Sequence, residues 1–272
     1  MSERRPDVSV IIPAFDEALR VGDTLRAFAG FLAALPGSSE LIVVDDGSTD
    51  PTAEVVRELA PQLPVAVRLL RYPSNRGKGY ALRVGFAHAR GERLLFSDAD
   101  LSTPVEEATR LLEALEGADL AISSRKSTGS EIVRRQPRLR EWLGRGFTLL
   151  VRLLLADVSD ATCGLKAFRG SVGRDLFSRL RVDGWSFDAE LLYLAERRGC
   201  RIAEIPVRWR HETGTKVDLR RDVLTSLAGI VRIRWYGARG VYESPAELRE
   251  SVESWDGVES RAAAALRPTG SR

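Results

Sequence analysis

Residues 93–102 read RLLFSDADLS. Arg93–Ser97 is a short apolar run of strand character. It breaks directly into two carboxylates at i and i+2, Asp98 and Asp100. In open α/β sheets, ligands bind at the carboxyl ends of the strands, so an acidic pair in this place marks the edge of a site. Two carboxylates so spaced suit one hard cation, Mg²⁺ or Mn²⁺, that retains phosphate oxygens as its other partners. The same four residues also make an ordinary solvated turn, and a lone D-x-D is common. The surroundings decide between the two.

Upstream, the same layout repeats. Val8–Ile12 (VSVII) is a β-branched run that Pro13 should end, and Glu17–Leu35 carries apolar residues at helical spacing. Glu40–Val44 is a second buried strand broken by Asp45-Asp46-Gly47, with a helix over Thr52–Ala60 started by Asp50-Pro51. Val65–Arg71 is a third strand and Gly79–Ala89 a helix. Downstream of the acidic pair come a helix over Pro104–Leu115 and a strand over Leu120–Ser123. Strands alternating with amphipathic helices predict a mostly parallel central sheet flanked by helices.

The remainder reads less regularly. Ser127–Arg145 is basic and contains Pro137, Gly146–Ala156 is an apolar helix, and Asp160–Arg169 is a compact polar and glycine segment. Asp188–Gly199 is a helix, Arg201–Arg210 a strand with Pro206, and Arg221–Tyr236 a helix with apolar and basic faces. From residue 244 to 272 the composition predicts a weakly ordered tail.

Asn75-Arg76-Gly77-Lys78-Gly79 places glycines and cations before a helix, where backbone N–H groups and positive charge can meet phosphates. It has neither the P-loop nor the dinucleotide-binding spacing, which argues against an ATPase or a dehydrogenase. Two cysteines exclude a disulfide framework, and two histidines, His88 and His211, exclude a multi-histidine metal site. No long apolar run follows the charged N-terminal residues, so no signal peptide is expected. The longest apolar stretch, Phe147–Val158, is interrupted by Arg152 and is shorter than the ~20 residues of a spanning helix.

Taken in order, PAFDE (13–17), DDGSTD (45–50), NRGKG (75–79) and SDADLS (97–102) resemble the nucleotide-sugar half of family 2 glycosyltransferases with the GT-A fold. The second half is similar to dolichyl-phosphate β-glucosyltransferases and related polyprenyl-phosphate glycosyltransferases. The carrying segments are DATCGLK (160–166), WSFDAEL (185–191), AEIPV (203–207) and GTK (214–216). The resemblance implies an α/β GT-A catalytic domain over 1–243, with a nucleotide-sugar half at about 8–125 and an acceptor half at about 126–243. It implies an inverting, metal-dependent transfer of a hexose, glucose from UDP-glucose, to a polyprenyl or dolichyl phosphate. It assigns the base and ribose to Pro13, Phe15, Glu17 and Asp46, with Lys78, Asp98 and Ala99 also on the nucleotide sugar. Asp98 and Asp100 address the Mg²⁺ or Mn²⁺, Asp100 directly. Arg125 and Lys216 lie near the transferring phosphates. Asp160, Cys163 and Gly164 belong to the acceptor-side loop, and Asp188 and Glu190 to a site-facing helix. Asp100, Asp160, Arg125 and Lys216 form the catalytic set. Phe15 and Asp16 stand where Tyr and Asn are common in the family, and Ser102 where mannosyl relatives carry Gln. Two other family readings stay open, a GDP-mannose-dependent enzyme and one acting on a glycan hydroxyl.

A formal net charge of +3 conceals an uneven distribution. Residues 125–152 hold eight Lys+Arg against two Asp+Glu, residues 201–242 hold nine against four, and the rest of the chain is acidic. Both basic stretches contain tryptophan and leucine. They suit an anionic membrane surface better than nucleic acid, for which no motif is present. The expected location is cytoplasmic, peripheral at the cytoplasmic face of a membrane.

Overall fold

The structure is a computed structural model that describes residues 5–212 and 219–257. The strands are β1 (Val8–Ala14), β2 (Ser39–Asp45), β3 (Ala66–Arg71), β4 (Arg93–Ser97), β5 (Leu120–Ser124), β6 (Glu131–Arg134), β7 (Leu165–Arg169), β8 (Ile202–Pro206), β9 (Arg208–Arg210) and β10 (Glu253–Asp256). The helices are α1 (Val21–Ala34), α2 (Thr52–Leu59), α3 (Lys78–His88), α4 (Glu107–Ala114), α5 (Arg138–Leu154), α6 (Gly170–Arg179), α7 (Phe187–Arg197) and α8 (Leu219–Ala238).

Eight strands form one sheet in the order β10-β3-β2-β1-β4-β7-β5-β8. β3, β2, β1 and β4 run parallel, as do β5 and β8, while β7 is antiparallel to both its neighbours and β10 to β3. A two-stranded parallel ribbon, β6 with β9, lies apart. The central strands are buried on both faces, so they read as unbroken apolar runs. Successive side chains still alternate. Ile11 joins the core under α3, α6 and α7, whereas Val10 and Ile12 join the core under α1, α2 and α4. Phe86, Phe96, Phe168 and Phe177 interlock in the first of these, each worth about 1.5–3 kcal/mol by burial.

Four boundaries differ from expectation. β1 continues through Pro13, which sits opposite Val44 in the ladder, because a strand end tolerates one missing N–H. The segment Asp160–Arg169, expected to be irregular, ends in β7. Lys166 disguised it: a lysine normally breaks a buried run, but this one is fully buried in an ion pair. α5 begins immediately after Pro137, eight residues before the expected helix start at Gly146.

The fourth concerns the expected weakly ordered tail. Residues 253–256 pair with β3. Before them the chain is fastened by side chains: Arg181 donates to the Ser244 carbonyl at 2.7 Å and Arg83 to that of Glu247 at 3.0 Å. The Tyr80 hydroxyl accepts the N–H groups of Arg249 and Glu250 at 2.9 Å. Residues 244–257 are thus a strap, held by residues of the domain that composition cannot reveal. Among the described residues no helix is long and apolar enough to cross a membrane.

Candidate active site

A cleft of about 2060 Å³ opens along the carboxyl ends of β1, β2, β4 and β5. Pro13, Phe15, Glu17, Asp46, Lys78, Asp98, Ala99, Asp100, Arg125, Gly164 and Asp188 line it, so most of the expected site residues are brought together. Asp160, Cys163 and Glu190 are buried behind the wall. Lys216 lies outside the described residues.

The floor is the acidic pair. The Asp98 carboxylate is ion-paired with the Lys78 ammonium. The Asp98 N–H donates to the Gly164 carbonyl at 3.2 Å, and a Cβ on Gly164 would collide with the Asp98 carboxylate. Glycine is therefore what admits the β7 loop against the acidic turn. Asp100 accepts the Ser102 N–H at 2.9 Å. Leu101 between them has φ +52°, a left-handed conformation that costs a β-carbon-bearing residue of order 1 kcal/mol and holds the turn open to the cleft. The Ala99 carbonyl is tied to α1 by the Thr24 hydroxyl at 2.7 Å.

Lys78 sits at the first position of α3, largely buried, near the rings of Trp185, Phe187 and Phe96. Burial opposes its charge. Asp98 and then Asp188 outweigh that and hold the ammonium pKa above its ordinary value.

The glycine loop differs from its expected role. The Arg76 and Gly77 N–H groups donate to the Asp46 carboxylate at 2.7 and 2.9 Å, and that of Gly79 to the Asp183 carbonyl at 2.8 Å. These donors are occupied within the protein rather than offered to phosphates. Gly77, at φ +101°, and Gly79 instead let this loop pack against residues 182–184, and Lys78 is the charged side chain it contributes to the cleft, beside Asn75 and Gly77. Asp46 is the hub, also accepting Tyr72 Oη at 2.7 Å and Asn75 Nδ2 at 3.0 Å. Burial raises its pKa, and the bonds from Arg76, Tyr72 and Gly77 work against that. Asp16, at φ +50°, joins the first two motif loops: its Oδ1 accepts the Thr49 and Asp50 N–H groups at 2.7 and 3.3 Å.

On the opposite side, Arg125 reaches the cleft from the end of β5. Asp160 clamps it from behind, bidentate at 2.7 and 2.8 Å, and Trp209 stacks under it at 5.3 Å. Burial alone would raise the Asp160 carboxyl pKa, but Arg125 holds it well below the usual carboxylate range. Asp160 is thus engaged through both oxygens by Arg125, and Cys163 is a buried thiol facing Thr103. Asp188 pairs with the fully buried Lys166 at 2.6 Å, and burial raises its carboxyl pKa against the pull of Lys166 and Lys78. Glu190, expected to face the site, points into the core. It accepts the N–H groups of Arg181 and Val182 and Tyr242 Oη at 2.7 Å, and so fixes the loop carrying Trp185.

Sequence reasoning assigned no role to several cleft residues: Lys126, Arg181, Trp185, His211 and Arg249. Trp185 stood inside a quoted motif, and His211 was one of two histidines, so both carried a signal. Arg249 lay in the discounted tail.

Among the described residues no three His, Cys, Asp or Glu side chains converge as a complete metal site. Asp98 and Asp100 supply oxygen donors at an open cleft, and that fits a hard divalent cation whose remaining ligands come with a phosphate-bearing substrate.

The sequence profile of "Glycosyl transferase family 2" matches residues 9–177. A dolichyl-phosphate beta-glucosyltransferase of Dictyostelium discoideum is 34% identical over 249 residues, 87% of this chain and 76% of that one. The Drosophila melanogaster protein of the same name is 38% identical over 225 residues, 78% of this chain and 69% of its own. Among solved structures, glucosyl-3-phosphoglycerate synthase of Mycobacterium tuberculosis, in complex with Mn²⁺, UDP-glucose and phosphoglyceric acid, superimposes with TM-score 0.62 at 25% identity, covering 84% of this chain and 79% of that one. Mannosyl-3-phosphoglycerate synthase of Rubrobacter xylanophilus shares the fold, with TM-score 0.64 at 18% identity over 89% of this chain and 77% of that one.

Proposed function

The chain belongs to glycosyltransferase family 2 and is a glycosyltransferase of GT-A fold, and from that premise we propose that it moves glucose from UDP-glucose to a polyprenyl phosphate of the dolichyl type, with inversion, at the cytoplasmic face of a membrane. The donor and acceptor follow the named activity of the relatives and the contents of the Mycobacterium tuberculosis complex. Both sequence halves supply strands to one sheet and walls to one cleft, which supports one catalytic unit over 1–243.

The observation that carries the acceptor reading is how the buried carboxylates are engaged. A hydroxyl acceptor needs a general base to take its proton. The three candidates on the acceptor side are all committed: Asp160 to Arg125, Asp188 to Lys166, and Glu190 to backbone N–H groups. The other carboxylates that line this side are also paired, Asp183 with Arg83 and Glu141 with Arg145, and beside them the cleft is lined by the cations Arg125 and Lys126. A phosphate monoester is already an anionic nucleophile and needs positioning by such cations, not deprotonation.

In this reading Pro13, Phe15 and Glu17 receive the base and ribose, and Asp46 shapes that end by holding residues 75–77. Asp98 and Asp100 would hold Mg²⁺ or Mn²⁺, which when bound offsets charge developing on the leaving diphosphate. Lys78 pairs with Asp98 and places a fixed positive charge beside it. Arg125, locked by Asp160 and Trp209, orients the acceptor phosphate for in-line attack on the anomeric carbon. Asp188 and Lys166 hold the β7 loop against the start of α7.

The test is a matrix of UDP-glucose, UDP-galactose and GDP-mannose against a short polyprenyl phosphate and a glycoside hydroxyl acceptor, each with Mg²⁺, Mn²⁺ or chelator. The proposal expects a lipid-linked glucose that forms only with metal. Transfer to the glycoside alone overturns the acceptor, and GDP-mannose as the preferred donor overturns the sugar.

A further inference from the structure

Two helices carry apolar side chains on their outer surfaces. On α5 these are Trp142 (74% exposed), Leu149 and Leu153 (70%). On α8 they are Leu227, Val231 (70%) and Trp235 (50%). Spacings of seven and four, and of four and four, put each set on one stripe of its helix.

The helices pack together, and their opposite faces enter the core through Val151 of α5, with Leu155 just beyond its end, and through Ile230 and Ile233 of α8. The same two helices also wall the cleft, through Phe147 and Leu150 on α5 and Gly229 and Tyr236 on α8, and the ends of the stripes, Trp142 and Leu227, reach its lining. The exposed stripes therefore border the mouth of the site.

Charge identifies what covers them. From Thr225 to Ala238, α8 has no acidic residue. Arg232, Arg234 and Arg239 are exposed, and among the described residues none of them pairs with a carboxylate. Arg239 lies 4.8 Å over the Trp235 ring. Paired stripes of leucine, valine and tryptophan flanked by arginines match a helix lying in a bilayer interface, with anionic headgroups as counter-ions.

We propose that the α5–α8 face docks the protein on an anionic lipid bilayer and turns the cleft mouth toward it, so that a lipid-anchored acceptor enters without leaving the membrane. The inference deepens the polyprenyl-phosphate reading and rests on it for its purpose, but docking itself requires no catalysis.

The test floats the full chain, without donor or acceptor, on vesicles of phosphatidylcholine alone or mixed with phosphatidylglycerol. Wild type is expected to float with the mixed vesicles and less so as salt rises. The double variant Leu153→Glu, Val231→Glu, and the milder Leu153→Ser, Val231→Ser, should lose about tenfold or more in partitioning. Both should keep wild-type turnover on a water-soluble short-chain acceptor and lose it on a long-chain acceptor embedded in vesicles. Wild type that stays in solution, or variants that float equally, overturn the proposal. So does a wild-type dimer that the variants dissociate while neither binds vesicles, since the face then joins two copies. Flotation without transfer to any polyprenyl phosphate upholds docking and overturns the acceptor assignment instead.

Discussion

Replacing Asp160 by Asn separates a positioning carboxylate from a general base. The Asp160 side chain is fully buried and grips Arg125 through both oxygens, while Arg125 retains the Thr162 hydroxyl at 2.9 Å and its stack on Trp209. Removing one partner of a buried pair costs about 3–5 kcal/mol. The contacts that remain on Arg125, and its partial exposure, place this variant near the low end, about 3 kcal/mol. For a chain of this size that is a fall in melting temperature of about 6–12 °C. Because Asp160 is held ionised below its unfolded value, its contribution is present at neutral pH and lost as pH falls. The gap between wild type and variant should therefore close below about pH 4, the ordinary aspartate range. Scanning calorimetry from acid to neutral pH measures this, and a double-mutant cycle with Arg125→Met isolates the pair. In turnover assays the variant should raise the acceptor KM while the shape of the kcat–pH profile is kept. A melting temperature within about 2 °C of wild type, together with loss of one ionisation from that profile, would refute the positioning role and restore Asp160 as a base.

Gly164→Ala drives a Cβ into the Asp98 carboxylate, so the apparent affinity for Mn²⁺ or Mg²⁺ in turnover should fall about 10–100-fold with the fold intact by circular dichroism. Asp100→Asn should lower kcat/KM by about 10²–10³ and abolish the metal dependence of donor binding, read by calorimetry. Tyr80→Phe leaves the N–H groups of Arg249 and Glu250 without their acceptor and should cost about 1–3 kcal/mol in thermal unfolding. Truncation after Glu243 removes β10 and exposes the β3 edge, so it should lower both the melting temperature and the protease resistance of residues 66–80.

The first half of the chain was legible because its signals are local. A buried strand, an acidic or glycine turn and a helix start follow one another within a dozen residues, and each turn falls at a strand end by construction. Asp98, Asp100 and Lys78 were found this way, and they meet. What failed depends on partners distant in sequence. Lys166 belongs to a strand because Asp188 neutralises it, Glu190 faces inward because Arg181, Val182 and Tyr242 offer it donors, and residues 244–250 are fastened to the domain because Tyr80, Arg83 and Arg181 hold them.

By itself, then, the order of strands, turns and helices determined the α/β class and the location of the cleft floor, while the family came from the resemblance of the motifs set on them. Those features arise from backbone preference and apolar periodicity, which act over a few residues. Only the tertiary structure decided which charged groups face the cleft and which are neutralised behind it. A carboxylate reads the same in sequence whether it meets solvent, a metal or a guanidinium. Its role is set by burial and by the nearest opposite charge, and residues 35 positions apart, such as Arg125 and Asp160, meet only when the chain has folded.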